Sequence, residues 1–232
     1  MYTKDKKFIS GMFDEISPTY DKLNHLFSAN QDKRWRKMAI RKLQKSSVKP
    51  KYILDLAAGS GDLGIEFLKL NPVQLFSVDI SLEMLKINAV KNPDKRNILL
   101  KAEAERLPFP DNFFDLTGIS FGIRNFERLD TCLKEIHRVL NKGGRLIVIE
   151  IFRPEKKTII HNLFDFYFSR LVPMLGNKLS KSSYAYNYLF NSVNTFNSVS
   201  EYIALLQETG FEIEYSKNNF LGIVNSVQAK KI

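Results

Sequence analysis

The part of the chain best equipped for chemistry is Asp55-Leu-Ala-Ala-Gly59-Ser60-Gly61-Asp62-Leu-Gly64. An apolar run, Tyr52-Ile-Leu, precedes it and a helical pattern, Leu63–Leu70, follows, so the glycines fall at a strand-to-helix turn. Glycine there lets backbone N–H groups approach a ligand with no Cβ in the way. The spacing Gly59-x-Gly61-x-x-Gly64, with Asp79 further along, formally matches a dinucleotide-binding fingerprint. Charge points elsewhere. A pyrophosphate needs bare donors at the helix N-terminus, whereas Asp55 and Asp62 flank this turn. Two like charges ~6 Å apart at an effective dielectric of ~20 repel by roughly 3 kcal/mol. S-adenosylmethionine carries a sulfonium and an ammonium and no phosphate, so it suits the turn better. Asp55 would face the ammonium, directly or through water. Asp79, with two acceptor oxygens, would take both ribose hydroxyls. Glu103 would accept from the adenine amino group, the Ala104 N–H would donate to the ring, and Ser120 would complete the set. On the glycine spacing alone, an NAD(P)-dependent oxidoreductase remains the alternative.

The elements that must position these residues alternate. Strands are expected at Tyr52–Leu56, Leu75–Val78, Ile98–Leu100, Phe114–Ser120 and Arg145–Glu150. Helices are expected at Leu63–Leu70, Leu82–Val90 and Leu129–Leu140, the last stopped by Lys142-Gly143-Gly144. Short apolar strands alternating with helices imply a parallel sheet covered on both faces. Every candidate above lies at the carboxyl end of a strand, where open α/β sheets bind ligands. Residues 152–198 break the rhythm and hold ten aromatics between Phe152 and Phe196. The pattern resumes with helix Val199–Thr209 and strands Phe211–Tyr215 and Gly222–Lys230, which no helix separates and which therefore form an antiparallel hairpin at the sheet edge.

The chain has 232 residues, 44% hydrophobic and 26% charged, which suits one globular domain and excludes a disordered or low-complexity protein. No run approaches the ~18 apolar residues of a membrane span, and Met1–Lys7 is too polar for a signal peptide. A lone cysteine, Cys132, permits no internal disulfide and suits a reducing cytoplasm. Residues 1–51 hold 13 Lys/Arg against 5 Asp/Glu, most of the net charge of +10. Within them Trp35, Met38 (or Ala39) and Leu43 recur at helical spacing opposite basic residues, with Asn30 or Asp32 as cap. Such a basic segment is drawn to anionic surfaces. No RNA-binding signature or target-base motif accompanies it, which speaks against nucleic acid and leaves an anionic membrane, or simple solubility.

At this level of detail the sequence resembles the bacterial demethylmenaquinone/2-methoxy-6-polyprenylbenzoquinol C-methyltransferase family. The similar stretches are Met12-Phe-Asp…Tyr20-Asp-Lys-Leu-Asn24, Ser28…Trp35-Arg36, Asp55-Leu-Ala…Gly-Asp62, Leu107-Pro-Phe-Pro-Asp111, Ser120-Phe-Gly-Ile-Arg-Asn125, Arg138-Val-Leu…Gly-Gly-Arg145 and Tyr186-x-Tyr-Leu-x-x-Ser192-Val-x-x-Phe196. The glycine turn is common to many methyltransferases; the Gly-Ile-Arg-Asn and Tyr-x-Tyr-Leu blocks are far more specific. Departures are conservative in chemistry: Ser60 stands for a usual Thr, Glu103 for Asn, Asn30 for Gly, and Lys142 and Asn197 for prolines.

The resemblance implies one Rossmann-like, seven-stranded class I methyltransferase domain over residues 1–232. Its parts would be a basic helical segment (1–51), a cofactor-binding core (52–151), an aromatic lid or tail groove (152–198) and a C-terminal helix and hairpin (199–232). It implies S-adenosylmethionine at Ser60, Asp79, Glu103-Ala104 and Ser120, and methyl transfer to a ring carbon of a prenylated hydroquinone. The neighbouring hydroxyl must lose its proton for that carbon to attack. A phenol of pKa ~10 brought to ~7 needs roughly 4 kcal/mol of differential stabilisation, which a fixed cation in a dry site supplies. Arg124 is the candidate cation, with Asn125 and Tyr20 orienting the hydroxyl or a water. His25 is a lesser candidate for a base. His161 and Asp165, two potential ligands at helical spacing, do not make a metal site, and none is expected. The benzoquinol step of ubiquinone synthesis is the alternative to the naphthoquinol step. The aromatics of 152–198 would serve equally as core or as the contact of a homodimer.

Overall fold

The computed structural model describes residues 3–44, 49–156, 158–180, 182, 184–220 and 222–232. Residues 1–2 and 45–48 of the basic segment therefore lie outside the described residues. In chain order the elements are α1 (Lys6–Phe27), α2 (Gln31–Gln44), β1 (Tyr52–Leu56), α3 (Asp62–Leu68), β2 (Gln74–Asp79), α4 (Leu82–Lys91), β3 (Asn97–Lys101), β4 (Phe114–Ser120), α5 (Leu129–Val139), β5 (Leu140–Ile151), α6 (Ile159–Phe166), α7 (Val172–Ser180), α8 (Ala185–Asn194), α9 (Val199–Glu208), β6 (Phe211–Phe220) and β7 (Val224–Lys231). A π-helical stretch, Tyr167–Leu171, joins α6 to α7.

The strands form one seven-stranded sheet in the order β3-β2-β1-β4-β5-β7-β6. β1 to β5 run parallel, and β7 enters antiparallel between β5 and the edge strand β6, as the expected hairpin requires. The chain moves outward from β1 through β2 and β3, then returns to place β4 on the other side of β1. That reversal opens a crevice at the carboxyl ends of β1 and β4. Side chains alternate along the buried strands. Leu54, Leu146 and Val148 pack with α5 and α9 through Leu133, Ile136, Tyr202 and Leu206. Ile53, Ile147 and Ile149 pack on the other face with α2 and α3 through Trp35, Ile40, Leu43 and Phe67.

Two strand ends move by five residues from the sequence reading, and one helix takes a different place. β5 begins at Leu140 and absorbs Gly143-Gly144, with a register shift opposite Phe114 to Leu116. β6 runs on to Phe220 because an edge strand tolerates the polar run Ser216-Lys-Asn-Asn219 that masks it in sequence. And α2 is a covering layer of the sheet rather than an appended basic helix: Trp35, Ala39, Ile40 and Leu43 are buried while Lys33, Arg34, Lys37 and Arg41 face solvent. Ala29 and Asn30 turn the chain into α2 with positive φ, and Asn adopts that conformation more readily than most residues.

α1 crosses the carboxyl end of the sheet. Asp5 caps it by accepting from the Lys7 and Phe8 N–H groups. Pro18 cannot donate to the Asp14 carbonyl, and the Ser17 hydroxyl donates to it instead, at 3.0 Å. The Asp14 carboxylate in turn accepts from Ser81 Oγ at 2.5 Å, which ties α1 to the start of α4. Gly61 is the tightest point of the glycine turn. Its φ is +91°, and a Cβ there would lie 2.4 Å from Asn88 Oδ1. Gly61→Ala is expected to cost about 2–5 kcal/mol, strain and overpacking together, measured as the loss of unfolding free energy in urea.

Candidate active site

Two adjoining cavities open at the carboxyl end of the sheet. The smaller is a cleft lined by the ends of successive strands: Leu56 and Ala57 of β1, Val78 and Asp79 of β2, Ala102 and Ala104 after β3, and Ser120, Phe121 and Gly122 of β4. The larger holds about 630 Å³ and is mostly apolar, walled by α1, α2, α6 to α8 and the end of β4. Phe13, Tyr20 and Phe121 line both, so they form the partition between them.

The cleft is built around Asp79. Its Oδ2 accepts from the Gly59 N–H at 2.7 Å and its Oδ1 from the Ser81 N–H at 2.8 Å. Each oxygen keeps further acceptor capacity. Burial pushes its pKa up, and the backbone donors work against that shift. Backbone strain gathers around the same cleft. Ala57 and Phe121 adopt positive φ, +54° and +59°, which costs of order 1–3 kcal/mol each and persists only where neighbours enforce it. Phe121 is enforced on three sides: its N–H donates to Ile149, its carbonyl accepts from Arg124 at 2.6 Å, and Arg36 lies over its ring at 5.3 Å.

Gly59, Asp79, Ala104 and Ser120, of the expected cofactor set, and Asn125 and Tyr20, expected at the acceptor, come together on the cleft wall. Four other candidates stand elsewhere. Glu103 is exposed and held by Lys6 at 2.6 Å; Glu105, two residues on, lines the cleft instead. Gly61 shapes the turn beneath the cleft. Ser60 points away from the cleft and donates to Asp21. Asp55 is sealed behind it, 1% exposed. Neither Asp55 oxygen has a hydrogen-bond partner of normal geometry, and the Gly64 N–H compensates only in part. Burial, reinforced by Asp79 and Asp62, pushes its pKa up to about 8, with Arg36 opposing.

Arg124 faces the larger cavity. It follows β4 in a short 3-10 turn, Ile123–Asn125, and is buried. Its Nη1 donates to Glu150 at 2.8 Å and its Nε to Ser192 at 3.2 Å. Burial pulls its pKa down, but Glu150, Tyr20 and Tyr188 outweigh that and hold it above its ordinary value, so it stays cationic. Burial pushes the Tyr20 phenol up, while Arg124 and Arg36 pull it down. Tyr188 donates to Asn125 Oδ1 at 3.1 Å, linking one cavity to the other.

Sequence reasoning missed Glu150 and Arg36. Glu150 was legible as an acid inside the apolar strand Leu146-Ile-Val-Ile-Glu150, since a buried charge demands a partner. Arg36 reads as one more basic residue of α2. In the structure it is buried, its Nη1 donates to Asp32 at 2.6 Å and lies 3.3 Å from Asp62, and its Nε donates to Ser120 at 3.0 Å. His25 joins Asp32 at 2.9 Å and is not part of either cavity wall. Asp21, His25 and Asp62 bring potential ligand atoms within 4.8 Å of one another, but Lys91 and Arg36 already neutralise these acids.

The residues fit a cationic nucleoside. The Asp79 carboxylate is pre-aligned at β2 with acceptor capacity to spare, the glycine turn lies beside it, and the Asp55 carboxyl is buried behind that turn. The sheet order, the terminal antiparallel hairpin and a ligand crevice at the chain reversal define a class I methyltransferase fold. A SAM-dependent methyltransferase from Aquifex aeolicus superposes with a TM-score of 0.63 at 16% identity, covering 91% of this chain and 98% of that one. The chain belongs to the ubiE/COQ5 methyltransferase family, whose model matches residues 1–231. It is 39% identical to the demethylmenaquinone methyltransferase of Chlorobaculum tepidum, over 90% of this chain and 86% of that one. It is 36% identical to the ubiquinone/menaquinone biosynthesis C-methyltransferase UbiE of Campylobacter jejuni, over 99% of both.

The raised Asp55 pKa has a sign that can be checked. The folded protein binds this proton more tightly than the unfolded chain, so the contribution is largest below the ordinary pKa near 4 and is lost as pH rises toward 8. Asp55→Asn is expected to raise the Tm of the ligand-free protein by several degrees above pH 8, with the gain shrinking by about 1.4 kcal/mol per pH unit as pH falls toward 4. A gain independent of pH, followed by differential scanning fluorimetry across that range, would contradict the assignment.

Proposed function

We propose that this enzyme is an S-adenosylmethionine-dependent C-methyltransferase that converts demethylmenaquinol to menaquinol, working in the cytoplasm at the inner face of a membrane. The observation that carries the reading is the partition of Phe13, Tyr20 and Phe121 between a cleft built on the Asp79 carboxylate and a large apolar cavity. A methyl donor on one side and an apolar acceptor on the other meet across it. The names of the relatives support a quinone substrate, and the apolar lining supports a prenylated one, because an isoprenoid tail offers only burial, at about 25 cal/mol per Å². One of those names also supports the benzoquinol step of ubiquinone synthesis as the second reading.

S-adenosylmethionine supplies an electrophilic methyl group when bound. Asp79 would hold its ribose, the Ala104 backbone its adenine, and Gly59 and Ser120 the edges of the nucleoside. Asp55 would lie behind its amino-acid portion, and a cation there would draw off the Asp55 proton.

On the acceptor side the task is to make a phenolate inside an apolar cavity. Tyr20 gauges that environment, because its side chain is itself a phenol. Burial holds its pKa above the ordinary phenol value, and Arg124 and Arg36 offset only part of that rise. A quinol hydroxyl beside Tyr20 would meet the same two guanidinium groups. Arg124 acts as a fixed positive charge and not as a proton acceptor, since Glu150 stabilises its charged form. Asn125 and Tyr20 would orient the hydroxyl or a water, and the apolar walls would exclude bulk water, which strengthens every charge inside.

Asp79→Ala is expected to weaken S-adenosylmethionine binding by more than about tenfold, a loss of about 1.4 kcal/mol or more, read by calorimetry with NAD(P) as the negative control. Removing Arg124 alone would leave Glu150 buried and unpaired, which costs about 3–5 kcal/mol of stability. The paired change Arg124→Gln/Glu150→Gln keeps the site neutral. It should fold, bind the donor within about threefold, and lose at least about a hundredfold in turnover. Turnover near wild type would remove Arg124 from its role. Demethylmenaquinol and the demethylated benzoquinol, assayed side by side, separate the two substrate readings.

A further inference from the structure

The helical segment α6–α7 is apolar on both of its sides, which a helix bordered by water on one side should not be. Its inner side closes the large cavity through Phe164, Tyr167, Phe168 and Val172. Its outer side carries Ile159, Leu163, Phe166 and Met174, each at least 60% exposed. The first three recur at helical spacing, and the π-helical turn at Tyr167–Leu171 carries the row on to Met174. Leu175 and Leu179 extend the patch at 42% and 51% exposure. Contiguous exposed apolar surface of this kind marks a docking site.

The patch is continuous with the mouth of the cavity. Leu163 and Phe220 line the cavity and are also exposed, as is Ala29 on the opposite rim. The exposed side of Leu163 belongs to the same row as Ile159 and Phe166. Anything that covers this row therefore lies over the cavity entrance.

Charge selects the occupant. Residues 153–183 carry six Lys/Arg against two acids, Glu155 and Asp165. Lys156, Arg170 and Lys178 are exposed on and around the helices. By contrast, part of the basic amino-terminal segment is committed within the molecule: Lys6 to Glu103 and Glu105, and Arg36 to Asp32 and Asp62. No helix among the described residues is long and apolar enough to cross a membrane. An apolar helical face flanked by cations lies in the plane of an anionic lipid surface and does not span it.

We propose that the outer face of α6–α7, through Ile159, Phe166, Met174, Arg170 and Lys178, docks on an anionic lipid bilayer and sets the cavity mouth against the acyl layer. The inference rests on the prenylated-quinol reading for its purpose and on the surface alone for its chemistry. A tail anchored in the bilayer would then enter at Leu163 and Phe220 without crossing water.

The test is flotation of the full-length protein with vesicles of phosphatidylcholine containing a quarter phosphatidylglycerol, and with phosphatidylcholine alone. Wild type is expected to float with the anionic vesicles. The triple variant Ile159→Ser/Phe166→Ser/Met174→Ser, none of which lines the cavity, should bind at least about tenfold more weakly. Arg170→Gln/Lys178→Gln should lose the preference for anionic lipid. Methyl transfer to a short-tailed, water-soluble quinol should be unchanged in the triple variant, which shows that it is folded, while transfer to a long-tailed quinol in vesicles falls with binding. Equal flotation of wild type and triple variant, or none by either, overturns the proposal. So does a wild-type dimer in sedimentation that the triple variant converts to monomer with lipid binding unaltered, since the face would then meet a second copy. If the protein binds vesicles as expected yet methylates no demethylated quinol, the docking face stands and the substrate reading fails.

Discussion

A cation that must remain charged inside an apolar pocket needs a counter-charge buried with it, and the Arg124–Glu150 pair meets that need. The pair joins the turn after β4 to the end of β5, two strands paired in the sheet, so the sheet itself sets its geometry. Glu150 accepts from Nη1 of Arg124 and from the Ile151 N–H, while Ser192 on α8 accepts from Nε. One ion pair thus connects the sheet, the β4 turn and the aromatic insertion. The desolvation cost of such a pair is several kcal/mol per ion, so its presence is poorly explained by stability alone. The pair sets a separated charge on the wall of the larger cavity, where burial weakens screening.

The partition between the cavities depends on that pair. Phe121 sits in a backbone conformation that bulky residues avoid, and the bond from Arg124 to its carbonyl helps to hold it there. Arg36 lies over the Phe121 ring and donates to Ser120 of the smaller cleft. Two guanidinium groups therefore hold Phe121, Arg124 through its carbonyl and Arg36 over its ring, and both line the larger cavity. α1 completes the partition with Phe13 and Tyr20 and is secured to the donor side by the Asp14–Ser81 contact. Cleft and cavity share the partition of Phe13, Tyr20 and Phe121.

The aromatic insertion divides its residues among three tasks. Phe152 and Phe196 pack with Tyr202 in the main core. Tyr167, Phe168, Tyr186 and Tyr188 wall the cavity. Phe166 stays at the surface. A run of aromatics in sequence therefore identifies an apolar region without saying which of its members form the core, the wall or the outer face.

The local sequence determined what depends on short-range pattern. Short apolar runs placed β1 and β4 to the residue, because strands buried on both faces read as nearly continuous apolar stretches. The Gly59-Ser-Gly61 turn, the carboxylate at Asp79 and the terminal hairpin were equally legible, since each follows from chain geometry over a few residues. Tertiary structure decided how the charges are shared. Asp55 and Ser60 look equivalent to Asp79 in sequence, yet neither lines the cleft: Asp55 lies inside β1, paired with Ser77 and buried, and Ser60 in the following turn is taken by Asp21. Arg36 and Glu150 acquired their meaning only when α2 packed on the sheet and β4 and β5 aligned. Their partners lie 84 and 26 residues away in the chain, beyond any local pattern. Spacing can say where a ligand crevice opens; which charges look into it depends on packing between distant segments.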